Sequence, residues 1–377
     1  MERHYVFSAP GRTEISGNHT DHQCGCVLAA AVNLETIADV RLNGSNTIWV
    51  QSEGYPVVKI SLDDLTVHEE EKNTTAALIR GIAAAFKRRG AKLQGFDAVI
   101  RSNVLSGSGL SSSAAFEVLF GTILNELFYG KRLNAIEIAQ IGQYAENMYF
   151  GKPCGLMDQM ASSVGGLVFI DFEDPREPIV EKINFDFAAN GYALCIIDSG
   201  AGHADLTDDY AAIPAELREV CQYFGKDVLR QIPEEDFFRE LSNIRRHVSD
   251  RAILRAIHVY QENKRVKAQV QALKDGRLDE FLHLVKQSGQ SSWMYLQNIC
   301  PAGAIMKQEV AVALAMCDTL LQGRGACRVH GGGFAGTVQA FVPLDLLQGF
   351  IKEMDNVLGK GACHVLNIRQ DGGIRVE

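Results

Sequence analysis

The sequence predicts a mixed α and β protein of two packed domains, and three observations carry that prediction. The chain has 377 residues, 46% of them hydrophobic, enough for two cores. Strand-like alternation and helix-like periodicity interleave along it instead of segregating. A punctuated acidic stretch, Asp171-Phe-Glu-Asp-Pro-Arg-Glu-Pro178, breaks the pattern near mid-chain. It sets the expected boundary, with one domain over 1–175 and a second over 176–377. The net charge of −9 argues against nucleic acid or an acidic membrane surface as partner, while leaving room for a local basic pocket. The first residues do not read as a signal peptide, and no apolar run is long enough to span a bilayer. Nine cysteines, an odd number, are scattered without a Cys-x-x-Cys or histidine-rich set. A reduced, cytoplasmic protein without structural zinc is expected.

The elements follow in order. Strand-like runs at 27–32 and 36–42 come after a dense polar knot, Ala9-Pro-Gly-Arg-Thr-Glu-Ile-Ser-Gly-Asn-His-Thr-Asp-His-Gln-Cys-Gly25. One Arg, one Glu, two His and one Asp within eleven residues exceed what a solvated turn needs. A strand is predicted at 47–51 and a helix over 74–89, whose basic last turn and following glycine are an ordinary C-terminus. The run 96–102 alternates as a strand, and residues after Ser113 show a helical apolar stripe through Phe116, Leu119, Phe120, Ile123, Leu124 and Leu127. Helix is predicted again over 134–149, and strands at 166–172 and 192–199. A second polar loop spans 198–210, with His203, Asp205 and Tyr210, and leads into a helix from about 211. The region 211–325 reads as mostly helical, and a strand at 338–342 follows a glycine-rich turn.

Between the strand at 96–102 and its helix lies Asn103-Val-Leu-Ser-Gly-Ser-Gly-Leu-Ser-Ser-Ser-Ala-Ala115. Glycines that admit close backbone approach, hydroxyl donors and a helix N-terminus together suit a phosphate. Serines also cap helices with no ligand present, so the stretch alone leaves both readings open. It is no P-loop, having no Gly-Lys-Ser/Thr ending, and Ser112 stands where Gly-x-Gly-x-x-Gly needs its third glycine. Asp158 sits between Met157 and Met160 in apolar company, which requires a partner; Arg12 is the expected one.

The stretch from Gly107 to Ala114 resembles the ATP loop of the galactokinase, homoserine kinase, mevalonate kinase and phosphomevalonate kinase (GHMP) superfamily, with Leu105 where that family usually has proline. The polar knot resembles the galactokinase signature through Gly11, Arg12, Gly17, His19, Thr20, Asp21 and Gly25. It departs at Glu14, Ser16 and Asn18, where the family has Asn, Ile and a substrate-binding Glu, and His22-Gln23 replaces Tyr-Asn. Cys154-Gly-Leu-Met-Asp-Gln159 and the run Gly325-Ala-Cys-Arg-Val-His-Gly-Gly-Gly-Phe-Ala-Gly-Thr337 resemble two further family motifs.

The resemblance implies an α+β, two-domain GHMP kinase fold with the active site in the inter-domain cleft. It implies Asp158 as catalytic base and Arg12 as catalytic arginine. Gly107, Ser108, Gly109, Leu110, Ser111, Ser112 and Ser113 would bind ATP, and Ser113 with Glu146 would hold Mg²⁺. Asn18, His19, Thr20, Asp21 and Tyr210 would bind the sugar. His258, Glu262 and Arg265, on one helical face, are expected to make structural hydrogen bonds. The implied activity is transfer of a phosphoryl group from ATP to the anomeric hydroxyl of galactose. Galacturonate or N-acetylgalactosamine is the alternative acceptor, because Asn18 lacks the charge of the usual Glu. A non-catalytic sugar and ATP sensor is a further alternative, disfavoured by the complete serine run. The implied partners are a small sugar and ATP, with no obligate protein partner.

Overall fold

The computed structural model describes residues 4–105, 109–201, 207–334 and 336–377. It contains two antiparallel-rich sheets with helices packed on them. The larger sheet has the order β12-β1-β2-β5-β3-β4, from β1 (His4–Ser16), β2 (Cys26–Leu42), β3 (Thr47–Ser52), β4 (Val58–Ser61), β5 (Phe96–Ser102) and the C-terminal β12 (Ile374–Arg375). A side branch, β6 (Leu167–Asp171) with β7 (Ile179–Ile183), pairs with the first part of β2. The smaller sheet is β11-β8-β10-β9, from β8 (Tyr192–Asp198), β9 (Ala326–Val329), β10 (Thr337–Pro343) and β11 (Cys363–Leu366).

The sequence patterns at 27–32 and 36–42 are one strand, not two. β2 runs without a break because its two halves serve different partners, β6 over Cys26–Ala30 and β5 over Thr36–Leu42. Ala9–Ser16, read as part of an irregular knot, is strand as well. Pairing with β2 shifts register between Pro10 and Arg12 and again between Glu14 and Ser16. Such bulges re-aim side chains without ending the ladder, so polar residues stand on a buried strand.

The helices α1 (Thr75–Arg88), α2 (Ser112–Phe128) and α4 (Met157–Val164) pack against the larger sheet, and α3 (Ala135–Ala145) packs on these three helices. α3 opens with a capping box, Asn134 accepting from Glu137 N–H and Glu137 from Asn134 N–H. It passes at Glu146 into a π-helical turn that ends at Gly151 in the left-handed region. The second half adds α5 (Thr207–Tyr223), α6 (Glu234–Arg239), α7 (Leu241–Ile244), α8 (Asp250–Lys274), α9 (Leu278–Ser291), α10 (Glu309–Leu321) and α11 (Leu347–Leu358). One apolar core runs between the sheets, joining Ile15 and Leu28 of the larger to Leu194, Ile196 and Phe341 of the smaller, with Val266 of α8. No described helix is long and apolar enough to cross a membrane.

Candidate active site

Three chain segments meet at Asp158, in the first turn of α4. From the bulged part of β1, Arg12 donates through Nε to Asp158 Oδ1 at 2.7 Å and brings Nη2 to 2.6 Å of the same oxygen. Ser111 donates its hydroxyl to the other oxygen at 2.6 Å. Arg12 also reaches the carbonyl of Gly109 through Nη1, and its own N–H donates to Leu110 O at 3.0 Å. The serine loop, β1 and α4 are thus tied through one guanidinium. Ser111 adopts a left-handed backbone (φ 56°) immediately before α2, a conformation a non-glycine residue takes only when its surroundings hold it there. Here the hydroxyl is held on Asp158 instead of capping the helix.

Asp21 follows on the loop after β1. Its Oδ1 accepts the His22 N–H at 2.9 Å. Its Oδ2 lies against Gly155, where a Cβ would overlap the carboxylate. Burial, reinforced by the Asp158 charge, pushes the Asp21 carboxyl up to about 6. A raised carboxyl binds its proton more tightly when folded, so its contribution to stability is complete below about pH 4 and lost as pH rises through about 6. Asp21→Asn should therefore gain stability relative to the parent as pH rises through that window, read by paired thermal melts. On the sugar-binding role that the resemblance implies for Asp21, Asp21→Asn should lower sugar affinity, and Gly155→Ala, by displacing the carboxylate, should raise KM for sugar at least about tenfold with ATP affinity unchanged, checked by steady-state kinetics; this corresponds to about 1.4 kcal/mol.

The remaining residues expected at the sugar form a buried network. Asn18 has every amide group engaged by protein: Nδ2 donates to Glu14 Oε1 (3.1 Å) and Gly331 O (2.6 Å), and Oδ1 accepts from Asn298 (2.8 Å) and Ser292 (3.3 Å). Thr20 spends its hydroxyl on Gly17 O and Cys26 O, at 2.8 and 2.7 Å. Both were expected at the sugar; both are buried, and neither offers a spare polar group. His19 donates from Nε2 to Gly332 O (3.0 Å) and accepts at Nδ1 from His22 (3.3 Å), which accepts in turn from Gln23 (3.3 Å). Burial keeps both imidazoles neutral, lowering His19 and pulling His22 down to about 3. Tyr210 donates to Gly333 O at 2.7 Å and sets its ring against Phe334. The carbonyls of Gly331, Gly332 and Gly333 are therefore all tied back, by Asn18, His19 with Asn298, and Tyr210.

His258, Glu262 and Arg265 do make structural hydrogen bonds. His258 donates to Asn18 O at 2.9 Å, Glu262 accepts from Gly17 N–H at 3.2 Å and Ser288 at 2.6 Å, and Arg265 donates to Glu262 at 2.8 Å. Burial alone would raise Glu262, but Arg265 and His258 outweigh it and hold it at about 2.

Two models of known families match the chain. The GHMP kinases N terminal domain covers residues 77–166, and the galactokinase galactose-binding signature covers residues 1–42. The structure superposes on Lactococcus lactis galactokinase complexed with galactose at a TM-score of 0.84 and 25% identity, over 99% of this chain and 95% of that one. The chain carries a GHMP kinase N-terminal domain and a galactokinase galactose-binding signature on a galactokinase-like fold. The fold is shared more widely. Leishmania major mevalonate kinase in complex with R-mevalonate matches at 16% identity and TM-score 0.66, over 99% of this chain and 97% of that one. The D-glycero-D-manno-heptose 1-phosphate kinase of Bacteroides thetaiotaomicron matches at 14% and 0.66, over 99% and 98%.

In this chain the serine run continues past Asp158. Ser112 and Ser113 open α2 and line a cavity of about 500 Å³ with Thr36, Glu53, Tyr55 and Phe116. Thr36, Glu53 and Tyr55 were not singled out in the sequence, coming from a strand and a turn far from α2 with no local pattern, and Phe116 was read only as part of the apolar stripe of α2. Glu146 is buried at the start of the π-helical turn, with Oε2 on Gln159 (2.9 Å) and Oε1 3.7 Å from Lys152 Nζ. Gly107 and Ser108 of the expected ATP loop, and His203 and Asp205 of the second polar loop, lie outside the described residues.

Sequence reading also passed over the pairing of Glu14 with Arg328. Arg328 is fully buried and meets Glu14 Oε1, and it donates to Ile15 O at 2.9 Å. His330, one step on, accepts the Glu14 N–H at 3.2 Å on Nε2 and donates from Nδ1 to Thr337 at 2.8 Å. It also limits the space at Gly109, where a Cβ would lie 3.1 Å from its ring. The glycine-rich third motif is thereby keyed to the serine loop.

Proposed function

We propose that this chain is an ATP-dependent sugar 1-kinase that phosphorylates the anomeric hydroxyl of galactose. The observation that carries this reading is the cluster of Arg12, Ser111 and Asp158, seated where the serine loop meets the sugar-side loop. ATP would lie along 107–113 with its base toward the cavity at Ser112, Tyr55 and Thr36. Asp158 would take the proton of the attacking hydroxyl, leaving Ser111 and Arg12 as its donors. Phosphoryl transfer passes through a loose transition state, so positioning and charge neutralisation dominate the rate. Arg12, whose guanidinium already makes three contacts at this corner, would stabilise charge developing on the transferring oxygens. His19, Asp21 and Tyr210 would face the sugar, with Asn18 and Thr20 shaping the loop beneath them.

Mg²⁺ fits the donors present. The Ser113 hydroxyl makes no hydrogen bond among the described residues, and Glu146 supplies a carboxylate with one oxygen turned outward. No three His, Cys, Asp or Glu among the described residues are grouped to hold a metal by themselves. That suits a cation that takes most of its ligands from phosphate oxygens and water. When bound, it would neutralise charge on the β- and γ-phosphates.

A galactose derivative is the second reading, favoured by one observation. The carboxylate of this corner is on Glu14, buried against Arg328, so position 18 presents no charge that repels an anionic substituent. ADP release measured with ATP·Mg²⁺ against galactose, galacturonate, N-acetylgalactosamine and glucose tests both. Galactose is expected to turn over best; a galacturonate preference would transfer the assignment to the second reading, and no turnover on any sugar would reject the kinase. Asn18→Glu should lower the melting temperature whichever sugar wins, because a second carboxylate would sit in hydrogen-bond range of Glu14. Burying a carboxylate without a partner costs on the order of 3 kcal/mol.

A further inference from the structure

Gln159 stands next to Asp158 in α4, yet its side chain serves another task. It is fully buried and spends both amide hydrogens on carboxylates: Nε2 donates to Glu146 Oε2 and to Glu117 Oε2, each at 2.9 Å. An amide has two such hydrogens, so none is left over. Glu117 is fully buried too, and its Oε1 has no partner among the described residues. α3 closes on this bridge through Gly142, where a Cβ would stand 3.0 Å from Glu117 Oε2 and 3.2 Å from Gln159 Cγ.

Two buried carboxylates on one amide are hard to account for as packing. Apolar side chains of similar volume would fill the space without the desolvation penalty of a charge. The arrangement has a geometric consequence. Glu117 lies four residues beyond Ser113 on α2, hence on the same helical face. Glu146 closes α3. The bridge therefore ties Glu146 itself to α2 one turn beyond Ser113, and fixes their separation. It also fixes which Glu146 oxygen points inward, leaving Oε1 toward exposed Lys152.

We infer that Gln159, anchored by Glu117, is a positioning residue that holds the Glu146 carboxylate in register with Ser113 for the cation of ATP·Mg²⁺. The inference rests on the kinase reading above. Groups that orient a metal ligand in this way are worth about 10–100-fold in metal affinity when removed.

The test compares ATP binding to the full chain by calorimetry, in Mg²⁺ and in EDTA. In the parent, Mg²⁺ should strengthen binding. In Gln159→Met that gain should fall about 10–100-fold, with the EDTA affinity unchanged. Glu117→Leu should lose part of the gain, and it reads the same bridge if Gln159→Met fails to fold. Glu117→Gln keeps an acceptor for Gln159 and should retain the gain. If Gln159→Met and Glu117→Leu lower only the melting temperature and leave the Mg²⁺ gain intact, the bridge is structural and the inference is wrong. If the parent binds ATP without regard to Mg²⁺, the kinase reading fails and the bridge falls with it.

Discussion

Asp158→Asn is expected to lower kcat by about 10²–10⁴-fold, the range for loss of a positioned general base. Asparagine preserves volume; its one carbonyl oxygen can still accept from Arg12, and its amide N–H can donate to the Ser111 hydroxyl, which reverses its role. The fold and both substrate affinities should therefore survive, and stopped-time ADP assays beside ligand-binding titrations separate the two effects. A loss of sugar affinity equal to the loss of rate would instead make Asp158 a binding residue.

Arg12→Lys is the second large effect. The guanidinium reaches Asp158 with Nε and Nη2 and the Gly109 carbonyl with Nη1, three contacts in two directions. A lysine ammonium keeps the charge but not the planar fork, so it can serve one direction at a time. The expected loss in kcat is about 10²–10³-fold, as for removal of a preorganised donor. Arg12→Met should lose at least as much and also lower the melting temperature, since β1, the serine loop and α4 are tied through this group. Equal activity for Arg12→Lys and the parent would mean that charge alone matters, and the fork geometry would carry no weight.

Much of the framework was legible in the sequence because it depends on short-range pattern. The strand at 96–102, the helix over 74–89 and the strand near 338–342 appear within a residue or so of their expected bounds. What was misread depends on partners distant in sequence. β2 is continuous because β5 and β6 divide its length, and no local signal in 26–42 reveals that. The polar density of 9–25 suggested an irregular knot, whereas bulged pairing lets Arg12 and Glu14 stand in a strand.

The same limit applies at the site. That Asp158 needs a partner followed from its apolar neighbours, and Arg12 is that partner. Asn18 was read as a sugar contact because it stands where the galactokinase signature has a substrate-binding Glu. Its saturation by Glu14, Asn298, Ser292 and Gly331 arises from residues about 280 to 310 positions away, apart from Glu14. Gln159 gave no signal, since a glutamine in a motif does not announce that two acids converge on it.

The most direct measurement is product analysis after incubation of the chain with ATP·Mg²⁺ and galactose, by ³¹P spectroscopy with a reducing-end assay. The account predicts a single sugar phosphate that has lost its reducing end, formed one for one with ADP and absent with Asp158→Asn. A phosphate on any other hydroxyl, or ATP left intact with every sugar offered, would contradict it.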